Sequence, residues 1–515
     1  MMKITLFIAM TLAVTSPASA LPFGTKSPDG GTEKQEMASV RGAAKEVSRS
    51  QTPEASAVVE SFFESSDSGS LQETLHALSN ADGMHDFLQS TRRSLHRHPE
   101  VMYELPFTSN TIAGILDELD IAYTRGWSKN THPEVLSGLC FPVTMSVQLT
   151  LFTAVLPLGV RRAGRIHASH VLIYQEDMDA LPILEAVKGI DGFKSMKDGQ
   201  MHACGHDGHT TMLLGAAALL KKIESQIVGT VRLVFQPAEE GGAGMKRMVE
   251  EGVHLMEPKA QLGFGMHVWP TLPTGIVASR PGALMAAAEM FQITLTGKGG
   301  HAAMPHQTVD PIVAAASLIS SLQTIVSRTL SPLESGVISV TAISAGDAFN
   351  VIPGDAVLKG TIRALSTETL LSLRDKVQAM VESTALLHGC NSTITYSPDY
   401  YPPTFNDAEL FEWTKDIGAL ISRDGKLRDV EPTMGGEDFS FLAEVIPTTF
   451  FFIGQGTGGD ETHHIPRTDF GLHHPSFALD EDVLPIGVEL HANLALRSLK
   501  RLAEEGSDII TKAEL

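Results

Sequence analysis

The sequence predicts an α/β fold with a smaller α+β unit inserted into it, and three observations carry that expectation. Short apolar runs at residues 171–174, 230–235 and 262–266 alternate with helical stretches, as in a layered α/β domain. Several of these runs end in side chains able to hold a cation or move a proton: Asp177 and Asp179, Glu239 and Glu240, and His267. Such sheets place their sites at strand C-terminal ends. Residues 290–397 then change rhythm to strand, helix, strand, strand, helix, strand, the order of a split ferredoxin-like unit.

A chain of 515 residues is long for one core, so two domains are expected. The formal net charge of −21 argues against nucleic acid or an anionic membrane as partner. Residues 1–20 read as a signal peptide: Lys3, an apolar run over 4–14, and the small-residue pattern Ala18-Ser19-Ala20. The run is too short to span a bilayer, so the expectation is the secretory pathway or the extracellular space, with no membrane attachment after cleavage. Residues 21–77, rich in Ser, Gly, Glu, Lys and Ala, read as a disordered spacer. The three cysteines, Cys140, Cys204 and Cys390, give no disulfide framework.

The first part of the main domain is expected over 78–287, the inserted unit over 288–400 and the second part over 401–515. Residues 85–95 are helical in pattern, and Thr108 is a candidate cap for a helix whose apolar face is Ile112, Ile115, Leu116 and Leu119. The stretch 135–170 fits neither helix nor strand. Residues 139–160 are strongly apolar but broken by Pro142, Gln148 and Pro157, and run into Arg161-Arg162-Ala163-Gly164-Arg165. Within the inserted unit, strands are expected at 290–296, 337–343, 356–362 and 392–396. One helix begins at Asp310-Pro311; another covers 369–387 and is stopped by Gly389. The main layer resumes near Pro403 with a helix at 408–422, a strand at 448–453 and a closing helix from Leu484.

The densest chemistry is Met201-His202-Ala203-Cys204-Gly205-His206-Asp207-Gly208-His209. Cys204 and His206 are close enough in sequence to serve one metal or two adjacent metals, and thiolate with imidazole suits zinc or another first-row ion. A lone C-x-H is more often a polar loop, a lone strand-end histidine is usually structural, and a Glu-Glu pair is usually solvated. Here five fragments recur together: Asp177/Asp179, Cys204/His206, Glu239/Glu240, His267 and His473/His474. Together they supply donors for two ions about 3.5–4 Å apart.

Six motifs bring the chain within reach of a known family. They are Asp177-Met178-Asp179-Ala180-Leu181-Pro182, the Cys204 segment, Gln236-Pro237-Ala238-Glu239-Glu240, Gly300-His301-Ala302-Ala303-Met304-Pro305-His306, Gly360-Thr361-Ile362-Arg363 and Gly435-Gly436-Glu437-Asp438-Phe439. With them the chain resembles the M20 metallopeptidases, and within these the aminoacylase, hippurate hydrolase and auxin-conjugate (IAA-amino acid) hydrolase branch. The resemblance implies a zinc-peptidase-like catalytic domain and a ferredoxin-like lid used to form a homodimer. It implies two divalent ions, zinc or manganese, held by Cys204, His206, Glu240, His267 and a C-terminal histidine. In this branch that histidine is followed by one residue and then proline, which selects His473 over His474. Glu239 falls on the general base and Asp179 on the acid that orients the metal site. His301 falls on an oxyanion donor, supplied by its own chain or a partner's. Asn350 and Arg363 are candidates to hold the substrate carboxylate.

The implied reaction is hydrolysis of a small N-acyl amino acid, hippurate-like or auxin-conjugate-like, to a carboxylic acid and a free amino acid. The alternatives are a metallo-exopeptidase acting on dipeptides and a secreted homologue inactivated by its 135–170 segment. Two departures from the family stand out. Gln175-Glu176 occupies the place of Arg-Ala, and the apolar segment, an insertion or a retained intron, replaces a glycine-containing stretch and a strand.

Overall fold

The computed structural model describes residues 30–49, 53–65, 68–127, 152–159, 170–190, 192–459 and 466–505. The expected signal peptide, Cys140 and most of the 135–170 stretch lie outside them.

The described residues open with three helices, α1 (Gly30–Arg49), α2 (Pro53–Ser65) and α3 (Ser68–Ser79). This corrects the reading of a disordered spacer for residues 30–49, 53–65 and 68–77; the rest of 21–77 lies outside the described residues. Large apolar residues are few there, but they fall at helical spacing: Val40, Ala44 and Val47 on α1, Val59 and Phe62 on α2, Leu71 and Leu75 on α3. All seven are buried in the main core. Polar contacts fix the same helices: Glu36 pairs with His98 at 2.9 Å and with Arg97 at 3.3 Å.

Next come α4 (Asp82–Arg97) and α5 (Pro106–Glu118). Thr108 does not cap α5, because Pro106 already starts the helix and Thr108 lies inside it. The cap comes from Glu100, whose carboxylate accepts from the backbone N–H of Phe107 at 3.0 Å and of Thr108 at 2.9 Å. Two free N–H groups and the positive end of the helix dipole meet one buried carboxylate.

Strand β1 (Tyr123–Arg125) pairs with β2 (Phe152–Gly159), so the unplaced apolar stretch contributes a strand. β1 covers only residues 152–154 of β2, and Pro157 lies past it, where among the described residues no strand pairs on that side and proline is tolerated. The layer continues through β3 (Val171–Asp177), α6 (His206–Lys222), β4 (Val228–Gln236), α7 (Gly244–Glu250), β5 (Leu262–Pro273), β6 (Val277–Ser279) and β7 (Gly282–Met285).

The inserted unit comprises β8 (Ala287–Thr296), the short pair β9 (Gly300–His301) and β11 (Val351–Ile352), α8 (Pro311–Thr324), β10 (Gly336–Ser344), β12 (Asp355–Ala364), α9 (Thr367–Leu387) and β13 (Asn391–Tyr396). Its sheet runs β10-β12-β8-β13, antiparallel throughout, which is ferredoxin-like topology as the rhythm predicts. Asp310 caps α8 through the N–H groups of Ile312 and Val313. The unit has its own core, including Phe291, Ile293, Leu318, Leu358, Leu373 and Val377.

The chain returns through β14 (Thr404–Asn406), α10 (Ala408–Ile421), β15 (Arg428–Asp429), α11 (Ser440–Ala443), β16 (Thr448–Gly456) and α12 (Leu484–Glu505). The main sheet is ordered β1-β2-β4-β3-β5-β16-β6-β15. Alternate residues of β3 divide between two cores: Leu172 and Tyr174 join the side of α6 and α12, while Val171 and Ile173 join Met245, Met248 and Leu442 on the other. Being covered on both faces explains why β3–β5 read as continuous apolar runs.

Candidate metal centre

The Asp177–Asp179 turn, the Cys204 loop, the Glu239–Glu240 turn and His267 meet around the C-terminal ends of β3 and β4 and along β5. Gly205, with φ of 97°, turns the chain into α6, leaving Cys204 on the loop and His206 as the first helical residue. After β4 the Glu239–Glu240 loop is held in an unusual form, with positive φ at Ala238 (56°) and Ala243 (53°). Asp179 accepts from the backbone N–H of Glu239 at 3.0 Å and of Glu240 at 3.3 Å. It therefore ties down the backbone of both glutamates.

The donors group closely. Ligand atoms of Cys204, His206 and His267 lie within 4.8 Å of one another, as do those of Cys204, Glu240 and His473, and those of His206, Glu239 and Glu240. Cys204 Sγ is 3.3 Å from His267 Nε2, and His473 Nε2 is 3.1 Å from Glu240 Oε1. Two adjoining donor sets thus share Cys204.

These residues fit a pair of divalent cations. His206 donates through Nδ1 to the Asp179 carbonyl at 2.7 Å, and His267 through Nδ1 to the Val268 carbonyl at 2.7 Å. In both rings the second nitrogen faces the site, and among the described residues the buried Nε2 of His206 has no hydrogen-bond partner. An imidazole fixed through one nitrogen with the other bare is how proteins orient metal-binding histidines.

The electrostatics agree. Burial, reinforced by Glu240 and Glu239, pushes the Cys204 thiol well above its usual range, so a thiolate here calls for a cation. Burial and the neighbouring His206 push His267 down to about 3, leaving it neutral and able to ligate. Burial would lower His206 too, but the Asp179 carboxylate, then Glu240, outweighs it and lifts the ring to about 9. The centre is built to hold positive charge. Glu239 is raised well above the carboxylate range by burial and by Glu437, Glu240 and Asp177. For Glu240, His473 and His206 overcome burial and keep the group below its usual value.

His473 is at the centre and His474 is not. His473 takes φ of 64° and its N–H donates to the Ala203 carbonyl at 2.8 Å, tying the C-terminal loop to the Cys204 segment. His474 stacks on Phe470 and accepts from Ser476 N–H. Arg363 reaches the edge of the site, packed against Gly436 with its charge felt by Glu239. His301 and Asn350 do not join the cluster. Both are exposed, side by side where β9 pairs with β11, and His301 Nδ1 accepts from Ala303 N–H at 3.1 Å.

Sequence reasoning gave no role to Glu437 and Asp438, although both stand in a quoted motif. They converge with Asp177 in a third group of buried carboxyls, and burial, opposed in part by the Phe439 N–H, pushes Glu437 up to about 7. Asp438 accepts from the Gln236 side chain and from Met245 N–H at 3.1 Å. The signal available was a Glu-Asp pair behind two glycines.

Comparison with known proteins agrees with this geometry. An IAA-amino acid hydrolase ILR1-like 4 of Arabidopsis thaliana is 38% identical over 82% of this chain and 88% of its own length. An N-acetylcysteine deacetylase of Bacillus subtilis is 34% identical over 81% and 98%. Among solved structures, a Bacillus subtilis protein described as a dinuclear metal binding peptidase from the M20 family superposes with a TM-score of 0.61 at 32% identity, covering 81% of this chain and 98% of that one. The model of peptidase family M20/M25/M40 matches residues 173–497, and the chain belongs to that family.

Proposed function

We propose that this protein is a metal-dependent amidohydrolase that cleaves N-acyl amino acids to a carboxylic acid and a free amino acid. The observation that carries the reading is Glu239, a buried carboxyl beside two adjoining donor sets and raised in pKa as a general base requires. The names of the Arabidopsis and Bacillus relatives, which describe splitting an acyl group from an amino acid, support it.

Cys204, His206, His267, Glu240 and His473 would hold two divalent ions, zinc or manganese, which supply Lewis-acid polarisation of the scissile carbonyl and of a water. Asp179 fixes the backbone of Glu239 and Glu240 and so sets the direction of the base. Glu239 takes the proton of the attacking water and delivers it to the leaving amine. Arg363, at the rim, pairs with the carboxylate of the amino-acid half. His301 donates to the oxyanion from a second copy of the chain, a reading supported by its exposure and its place outside the donor groups of its own chain. The ferredoxin-like unit is then both lid and dimerisation element. The chain enters the secretory pathway through residues 1–20.

The test is hydrolysis by purified, metal-analysed protein of an N-acyl amino acid against a dipeptide with a free amine. Preferential release of amino acid from the acylated substrate, lost on chelation and restored by zinc or manganese, is the expected result. Cleavage of the dipeptide alone would transfer the protein to the exopeptidases, and metal-free activity would end the proposal.

A further inference from the structure

The loop that carries Glu239 is strained and is tied down from an unexpected direction. Ala238 and Ala243 both sit at positive φ, a conformation an alanine keeps only if neighbours hold it. Some ties are local, such as Gly242 N–H to the Ala238 carbonyl at 3.0 Å. Two come from tyrosines. Tyr103 donates to the Gly242 carbonyl at 2.5 Å. Tyr401 donates to the carbonyl of Glu239 itself at 2.7 Å and accepts from Ala243 N–H at 3.0 Å. A single hydroxyl thus spans the loop from the base to its far end.

Tyr401 stands where the chain leaves the ferredoxin-like unit. Its backbone forms both hydrogen bonds of an antiparallel bridge to Ala288, where the chain enters that unit, at 2.8 and 2.9 Å. Two residues earlier, Asp399 pairs with Lys246 and Arg247 of α7, directly behind the loop. The two crossing strands and the Glu239 loop are therefore one bonded assembly. The hydroxyl bonded to Glu239 thus belongs to the residue that joins the inserted unit to the main domain.

We infer that Tyr401 is a positioning residue for Glu239, and that through it the orientation of the ferredoxin-like unit and the placement of the base are set together. The inference rests on the proposed role of Glu239 as general base.

Tyr401→Phe tests it, since the ring stays edge-on to Phe441 and only the bridging oxygen is lost. On the full-length, metal-loaded protein the variant should lose ~10-fold or more in kcat while KM moves by less than ~3-fold. Metal content and thermal midpoint should hold, and the amides of residues 239–244 should exchange ~10-fold faster or more. A kcat within ~2-fold of the parent, unaltered exchange in that loop, or equal losses in metal, midpoint and activity would overturn the inference. If the parent protein hydrolyses no N-acyl amino acid, the functional reading fails on its own, while the exchange measurement still decides whether Tyr401 holds the loop.

Discussion

His473 and Glu240, 233 positions apart in the chain, meet at 3.1 Å with the histidine's backbone bonded to Ala203. The C-terminal loop thus completes a centre built mainly from the first half of the sequence. His473→Ala should bind less metal and lose ~10²-fold or more in activity, while His474→Ala, which removes a ring stacked on Phe470, should keep both. Metal analysis of the two variants side by side checks this; equal losses would mean the doubled histidines share the role.

Glu239→Gln keeps the size of the side chain and removes the base. Metal content should be retained and the rate should fall ~10²-fold or more. Cys204→Ala should lose metal as well. A Gln variant hydrolysing at near the parent rate would dismiss Glu239 as the base.

The acid side of the pH profile follows from the same residue. A base works only when deprotonated, and burial with neighbouring carboxyls raises Glu239 above the ordinary value of about 4.3. As pH falls and Glu239 takes up its proton kcat/KM should decline; burial and the neighbouring carboxyls push that limb up, and bound cations beside the group push it down. In Glu239→Gln the residual rate should lack this limb. The check is a kcat/KM profile for both proteins with metal saturation confirmed at each pH.

His301→Ala should lower kcat more than it raises KM, because donation to an oxyanion acts in the transition state. Mixing it with Glu239→Gln should recover part of the activity if donor and base come from different subunits. Proven subunit exchange without recovery would place the donor in its own chain.

The N-terminal helices should behave as core. Phe62 is 4% exposed, and its ring lies 4.7 Å from Lys500 Nζ of α12. Phe62→Ala should destabilise the fold by about 3–5 kcal/mol. Denaturant unfolding measures this, and a loss below about 1 kcal/mol would make α1–α3 an ornament rather than part of the domain.

The ferredoxin-like unit was legible because its signals are local: Asp310-Pro311 and Gly389 bracket helices, and its strands alternate apolar and polar. The donors were legible because five short fragments carry them. The α1–α3 layer was not, since its stripe is made of small or isolated residues such as Ala44 and Val59, whose burial depends on partners far along the chain. Thr108 misled for a related reason: the helix starts two residues earlier, at Pro106, and its first N–H groups are met by Glu100, eight positions before Thr108. The detachment of His301 from its own cluster is a tertiary fact with no trace in the motif that names it.

The burial of Cys204 bears on the environment proposed for the protein. Outside the cytosol free thiols meet disulfides and oxidants, and the species that reacts with them is the thiolate. Cys204 is 6% exposed and burial pushes its thiol well above the usual range, and Cys390, the other free cysteine among the described residues, is buried as well. The burial that raises the Cys204 thiol also makes it a slow partner for disulfide exchange, which suits a cysteine-bearing centre to an oxidising compartment.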